Sequence, residues 1–350
     1  MNKIVLLTCK LFDGDAYYFS KPIINIKEVS KLKIFRDKIG ISDTKIEYHN
    51  VRFKGIIKYF ERIINMLFQS RKSSLIVGIY EIPHGFIAML IGKILRKKTV
   101  VCIISNPAYK EIRHGIRLKF SYFIFRNVDI ITTTGTQSKK FMIKEGFNEN
   151  KIRILPNSID VNEFKPIECE KKYDIITIGR ISEEKQVDLF IKIISLLKLN
   201  HPNIKVAIGG KGPDFEKINL LIKELDLINN VELLGFIPSD DLVNFLNSGK
   251  IFLSCSKTEG LPRTVIQSIA CGLPNVSSNV GDLSDLIINE FNGFLINEIS
   301  KPELYADKLD LLLTNQSMHD IFSANGLLHV KKHYDHSAAE EVWNNIFKTI

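Results

Sequence analysis

Short apolar and β-branched runs recur along the chain, separated by longer stretches in which apolar residues return every third or fourth position. The first pattern predicts strands, the second amphipathic helices. Strands are expected at residues 3–8, 74–80, 99–104, 129–133 and 152–155, with helices around 28–39, 51–68, 84–95, 112–125 and 137–145. Runs that are apolar throughout are buried on both faces, as in a parallel sheet. After Pro156-Asn157-Ser158 the rhythm breaks, and the irregular, charged segment 159–172 with Pro166 reads as an interdomain linker. Alternation restarts at 173–178, 205–209, 230–234, 251–254, 275–278 and 294–296. Two successive arrays of this kind predict an α/β protein of two facing Rossmann-like, doubly wound domains with a cleft between them. The expected domains are residues 1–165 and 166–336. The stretch 337–350, with Trp343, Ile346, Phe347 and Ile350 on one apolar face, is expected to pack back on the first domain.

The densest chemistry lies in residues 254–281, SCSKTEGLPRTVIQSIACGLPNVSSNVG. A strand ending at Ser254 leads into a loop broken by Gly260 and Pro262, then a helix from Arg263 to Cys271 closed by Gly272. Proline at a helix start costs nothing, because its missing N–H would have no intrahelical partner there. The helix mouth offers backbone donors and partial positive charge to an anion, while Glu259 can accept hydrogen bonds from sugar hydroxyls. A nucleotide sugar satisfies both. Gly179, Arg180 and Lys185 follow the array's first strand, with Ser182 a candidate N-cap. Lys185 then falls in a helix's first turn, where a cation opposes the dipole unless an anion bridges it to Arg180. Two solvated cations are the plainer reading. Gly209-Gly210-Lys211-Gly212-Pro213 and Leu234-Gly235-Phe236-Ile237-Pro238 also close strands. Tight turns need such glycines with no ligand present, although Phe236 and Ile237 also offer a rest for a base.

Composition bounds these readings. A chain of 350 residues, 45% hydrophobic and 25% charged, is an ordinary globular protein of two domains. Cys9, Cys102, Cys169, Cys255 and Cys271 have no metal-like spacing and are odd in number, so reduced thiols in the cytoplasm are expected rather than a disulfide framework. The opening residues run into a strand rather than a signal h-region, and the apolar stretch 85–95 is short and interrupted by Lys93. The net charge of +9 is unevenly divided: residues 1–168 hold 30 Lys and Arg against 15 Asp and Glu, residues 169–350 hold 18 against 24. The basic half suggests an anionic partner, with a solvated lysine-rich surface as the simpler alternative. No nucleic-acid motif is present.

The ordered series GR-x4-K, GGKGP, LGFIP, EGLPRTVIQ and ACGLPNV, with ILPNSID, Phe164 and Pro166 before it, resembles the carboxyl-terminal part of retaining GT-B glycosyltransferases, specifically glycosyltransferase family 4. The likeness covers roughly residues 151–298. It implies a nucleotide-sugar donor in the second domain, an acceptor held mostly by the first, and transfer with retention at the anomeric carbon. No cofactor or metal is expected. On this likeness Arg180 and Lys185 neutralise the departing diphosphate and Glu259 meets the donor sugar. Gly179, Gly210, Phe236 and Ile237 border the donor, and Gly260, Leu261, Pro262, Arg263 and Thr264 bring backbone to it. Gln267 stands where the family's second signature acid holds the ribose hydroxyls. A neutral amide still accepts one hydrogen bond and donates another, so altered nucleotide preference is expected before lost activity.

The amino-terminal half resembles the family less. Phe12-Asp13-Gly14-Asp15 is the candidate for its glycine-rich loop, and a simple turn explains it equally. No histidine stands near Asn106, where the family commonly places one. His84 and Glu81 are alternative cleft residues, with a packing or capping histidine and an exposed loop acid as the competing readings; His114 reads as solvated. Retaining transfer by a front-face route needs no protein nucleophile, only a stabilised leaving group and a positioned hydroxyl. Basic amphipathic stretches at 51–72 and 112–125 fit an anionic membrane surface beside a glycan or lipid-linked acceptor, or simply cover the sheet. The expected setting is surface polysaccharide or lipid-linked oligosaccharide assembly on the inner face of the plasma membrane. A nucleotide-sugar epimerase of related fold and a non-catalytic donor- or glycan-binding partner are the alternatives.

Overall fold

The computed structural model describes residues 3–11, 13–109 and 113–349, without the Asp13 side chain. Phe12, Ile112 and Ile350, named above, lie outside them. The chain forms two compact units, Met1–Ser158 with His336–Ile350, and Ile159–Asp335.

The first unit contains β1 (Lys3–Thr8), α1 (Asp13–Ile24), β2 (Val29–Arg36), β3 (Ile46–Asn50), α2 (Ile57–Ser70), β4 (Leu75–Ile79), α3 (Phe86–Leu95), β5 (Lys98–Cys102), α4 (Gly115–Asn127), β6 (Ile130–Thr133), α5 (Thr136–Lys144) and β7 (Ile152–Ile154). Its seven strands pair in parallel in the order β3-β2-β1-β4-β5-β6-β7. The core is the expected one, with Val5, Leu7, Val77 and Val100 fully buried. Two local expectations are corrected, and one strand was not foreseen. Within the helix expected at 28–39, Val29–Arg36 forms a strand instead, where Lys31 and Lys33 reach Glu47 on the neighbouring strand and Leu32 and Ile34 turn inward. The edge strand β3 is half-buried along its length and carries too little apolar signal to be read locally. Gly14 opens helix α1 rather than a turn.

The second unit contains β8 (Tyr173–Ile178), α6 (Val187–Asn200), β9 (Val206–Gly209), α7 (Phe215–Glu224), β10 (Val231–Gly235), α8 (Ser239–Asn247), β11 (Gly249–Ser254), α9 (Arg263–Ala270), β12 (Asn275–Ser278), α10 (Leu283–Leu286), β13 (Gly293–Ile296), α11 (Pro302–Thr314) and α12 (Gln316–His333). Its six strands run in the order β10-β9-β8-β11-β12-β13, again all parallel. The segment expected as a linker belongs to this unit: Ile159 and Phe164 are buried, and Pro166 packs beside Gly272. The final helix, α13 (His336–Thr349), rejoins the first unit. There Trp343, Ile346 and Phe347 enter the same cluster as Val5, Leu7 and Phe19.

Candidate functional site

In the second sheet the strand order reverses between β8 and β11. Ligands of open α/β sheets settle beyond the carboxyl ends of strands at such a point. Gly179 and Arg180 continue from β8. A 3₁₀ turn at Glu183–Lys185 and left-handed Gln186 (φ 47°) then lead into α6. Lys185 therefore precedes the helix instead of sitting in its first turn, and its ammonium pairs with the Glu259 carboxylate. The conflict with a helix dipole expected from sequence does not arise. Glu259 Oε1 also accepts from Ser256 Oγ at 2.7 Å. Lys257 joins the loops, its amide donating to the Glu184 carbonyl at 2.8 Å and its Nζ to Glu183 Oε1 at 2.7 Å.

The loop after β11 is shaped by backbone packing. Gly281 has φ 58°, and a Cβ there would stand 2.1 Å from the Glu259 carbonyl oxygen and 2.5 Å from that of Gly260. Asp282 N donates to the Gly260 carbonyl at 2.8 Å, and Leu261 is buried beneath. Pro262 then leads into α9, whose opening turn presents backbone donors without intrahelical acceptors. Arg180, Lys185, Glu259, Pro262 and Thr264 line one pocket together with Gly179. Its accessible space is about 30 Å³, roughly the share of one water.

The other expected donor residues are more dispersed. Gly210 (φ 129°) would put a Cβ 1.8 Å from the Gly179 carbonyl oxygen, and its amide donates to the Gly235 carbonyl at 2.6 Å. The glycines thus let the ends of β8, β9 and β10 close on each other. Ile237 covers Gly209, whereas Phe236 is 71% exposed. Both line a separate cavity of about 480 Å³ with Ile167 and Tyr173. Gln267 is buried in α9 and does not line the pocket that holds Glu259; Gly260, Leu261 and Arg263 lie in the same loop and helix start, also outside its lining. A larger cavity, about 750 Å³, opens by Asp174 and Lys250 at the opposite, amino ends of β8 and β11. Ser256 and Gly281 were not singled out from sequence. The Ser-x-x-Glu spacing was the available signal for the first, and for the second there was none.

In the first unit, Glu81, His84 and Asn106 follow β4 and β5 and are tied down by partners that sequence did not suggest. Glu81 is 2% exposed and accepts from Arg113 Nε at 2.8 Å and Nη2 at 3.2 Å, which corrects its reading as an exposed loop acid. Arg113 Nη1 donates to the Asn106 carbonyl at 2.8 Å, and Asn106 Oδ1 accepts from the Ala108 amide. His84 is buried, with Nδ1 2.8 Å from Thr8 Oγ1 and 3.3 Å from Arg62 Nη1, and Arg62 is held by Asp37. Burial, reinforced by the Arg62 charge, pushes its pKa down to about 3. Its Nε2 is buried with no hydrogen-bond partner among the described residues. Gly14 has no close neighbour on its Cβ side, Tyr18 being 4.0 Å away. His114 is exposed ahead of α4. Among the described residues, no group of three His, Cys, Asp or Glu stands close enough to hold a metal ion. Nor is any described helix long and apolar enough to cross a membrane.

Two parallel sheets in these strand orders define the GT-B architecture, and solved structures agree over nearly the whole chain. A structure of Anabaena Alr3699/HepE in complex with UDP-glucose superposes with a TM-score of 0.85, covering 99% of this chain and 100% of that one at 15% identity. Sucrose-phosphate synthase from Thermosynechococcus elongatus gives 0.83, covering 99% of each chain at 16% identity. By sequence, residues 158–329 match the model of the glycosyl transferases group 1. An uncharacterized glycosyltransferase of Methanocaldococcus jannaschii, MJ1059, is 29% identical over 293 residues, 77% of this chain and 70% of that protein. A component of the phosphatidylinositol N-acetylglucosaminyltransferase of Arabidopsis thaliana is 29% identical over 173 residues, 48% of this chain and 39% of its own length. The match to the GPI3 component of the same transferase from Saccharomyces cerevisiae likewise spans 40% of that relative.

Proposed function

We propose that the chain is a retaining glycosyltransferase of family 4. It moves a hexosyl group from a nucleoside-diphosphate sugar to a hydroxyl of a glycan or lipid-linked acceptor, in surface polysaccharide or lipid-linked oligosaccharide assembly. The carrying observation is that Arg180, Lys185, Glu259 and the opening of α9 share one pocket at the switch in strand order. Arg180, Lys185 and the α9 donors meet the negative charge that develops as the diphosphate departs. Because Lys185 is paired with Glu259, an arriving diphosphate competes for the ammonium and releases the carboxylate to the sugar hydroxyls. The acceptor hydroxyl attacks the anomeric carbon on the face from which the diphosphate leaves and passes its proton to the departing diphosphate oxygen, and no metal or cofactor takes part. The reading places the protein in the cytoplasm, peripheral on the inner face of the plasma membrane.

The UDP-glucose of the HepE structure and the N-acetylglucosaminyl group in the transferase names put UDP-glucose and nucleotide-activated N-acetylglucosamine first on a donor panel. One of these, or a GDP- or ADP-sugar, raises the melting temperature of the protein, since a ligand that binds only the folded form stabilises it. The double variant R180A/K185A weakens that binding about tenfold or more. Glu259→Ala retains nucleoside-diphosphate binding and loses turnover, and chelator leaves turnover unchanged. A protein indifferent to every nucleotide sugar sinks the proposal. Binding without turnover, which Gln267 in place of an acid would favour, makes it a non-catalytic partner. Conversion of a UDP-sugar with no acceptor makes it an epimerase.

A further inference from the structure

Helix α2 is apolar on two sides. Ile57, Phe60, Ile64 and Phe68 fall on one stripe of the helix and are 55%, 62%, 52% and 70% exposed. The opposite side buries Arg62, Met66 and Ser70, and Tyr59, Ile63 and Leu67 pack with Met66 on the core. Polar contacts hold this orientation: Arg62 Nη2 and Lys58 Nζ both bond to Asp37, and Lys33 reaches Gln69. The segment before the helix is fixed as well, because Glu61 Oε2 accepts the Arg52 and Phe53 amides at 2.8 and 3.1 Å. Phe53 and Ile56 extend the stripe at 57% and 72% exposure. A helix that merely covered a sheet would be polar on this outer side.

The stripe is collared by cations. Residues 51–72 carry six Lys and Arg against the single carboxylate of Glu61, and Arg52, Lys54, Arg71 and Lys72 are exposed at its two ends. Two copies pressed together through this stripe would bring the collars into repulsion. An anionic bilayer instead takes the aromatic and branched side chains among its acyl chains while the long basic side chains reach the headgroups. We propose that the α2 stripe, from Phe53 to Phe68, is a docking surface for an anionic lipid bilayer, lying in the interface without crossing it. This deepens the membrane part of the functional reading but uses a different surface from the donor pocket.

The test is flotation of the full chain with vesicles of phosphatidylcholine, alone or mixed with phosphatidylglycerol. Binding to the mixed vesicles is expected, weakening with salt, and about tenfold or more weaker for F60S/I64S/F68S. R71E/K72E weakens it by at least about tenfold. Every side chain substituted in these two variants is on the surface, so both keep the wild-type circular dichroism and nucleotide-induced thermal shift. Neither measurement needs turnover, so loss of the glycosyl-transfer reading leaves this result standing. Failure of the wild-type chain to float overturns the proposal, as does unchanged flotation by the triple variant. A wild-type dimer that the triple variant converts to monomer assigns the stripe to a second copy and overturns it too.

Discussion

Two glycines and one histidine show how far single residues can be pressed. Gly281 combines a left-handed φ of 58° with a carbonyl 2.1 Å from any added Cβ, whereas Gly14 meets nothing closer than 4.0 Å. Gly281→Ala is therefore expected to destabilise the second unit by roughly 2–4 kcal/mol and to disturb the loop that carries Glu259. Gly14→Ala is expected to change stability by less than about 1 kcal/mol. Urea titration of the two variants checks both. At His84 the folded-state pKa is pushed down to about 3 from 6.5, so between those values the unfolded chain binds a proton that the folded chain does not. Its contribution is complete above the unfolded value and is lost as pH falls through the window, on the order of a few kcal/mol. Denaturation midpoints compared at about pH 7 and about pH 4.5 should fall less steeply for His84→Gln than for the native chain.

At the scale of elements, helices and central strands were legible because their apolar pattern is local, unbroken in β4 and nearly so in β5, and returning every third or fourth position in α9. What escaped was settled by residues distant in sequence. β2 reads locally as helix, and its strand state rests on Glu47 and on pairing with β1 and β3. The GR-x4-K and EGLP loops were readable as neighbours because both close strands of one array, but the Lys185–Glu259 pair was not, since nothing local joins residues 74 positions apart. Arg113, which holds Glu81 and Asn106 together, was likewise invisible. Helix α13 shows the opposite case, its apolar face being plain in the sequence. With Trp343 buried against Phe19, Trp343→Ala is expected to cost the first unit about 3–5 kcal/mol and to leave nucleotide affinity unchanged. Denaturation followed by circular dichroism, with nucleotide titration alongside, separates the two effects.

For the molecule as a whole, charge and probes divide along the same line as the units. Unit one, residues 1–158 with 336–350, holds 30 basic against 14 acidic side chains, and the rest holds 18 against 25. The single tryptophan, Trp343, lies in the first unit, whereas the proposed donor residues lie in the second. Addition of the bound nucleotide sugar is thus expected to delay loss of second-unit structure, read by proteolysis, more than loss of the buried-tryptophan signal. The return of α13 to the first sheet has a further consequence for biosynthesis. As the chain leaves the ribosome, residues 3–154 emerge without the partners that residues 336–349 later pack beside Val5, Leu7 and Phe19. The domain encoded in the middle is completed first, and the one that begins the chain reaches its final packing last.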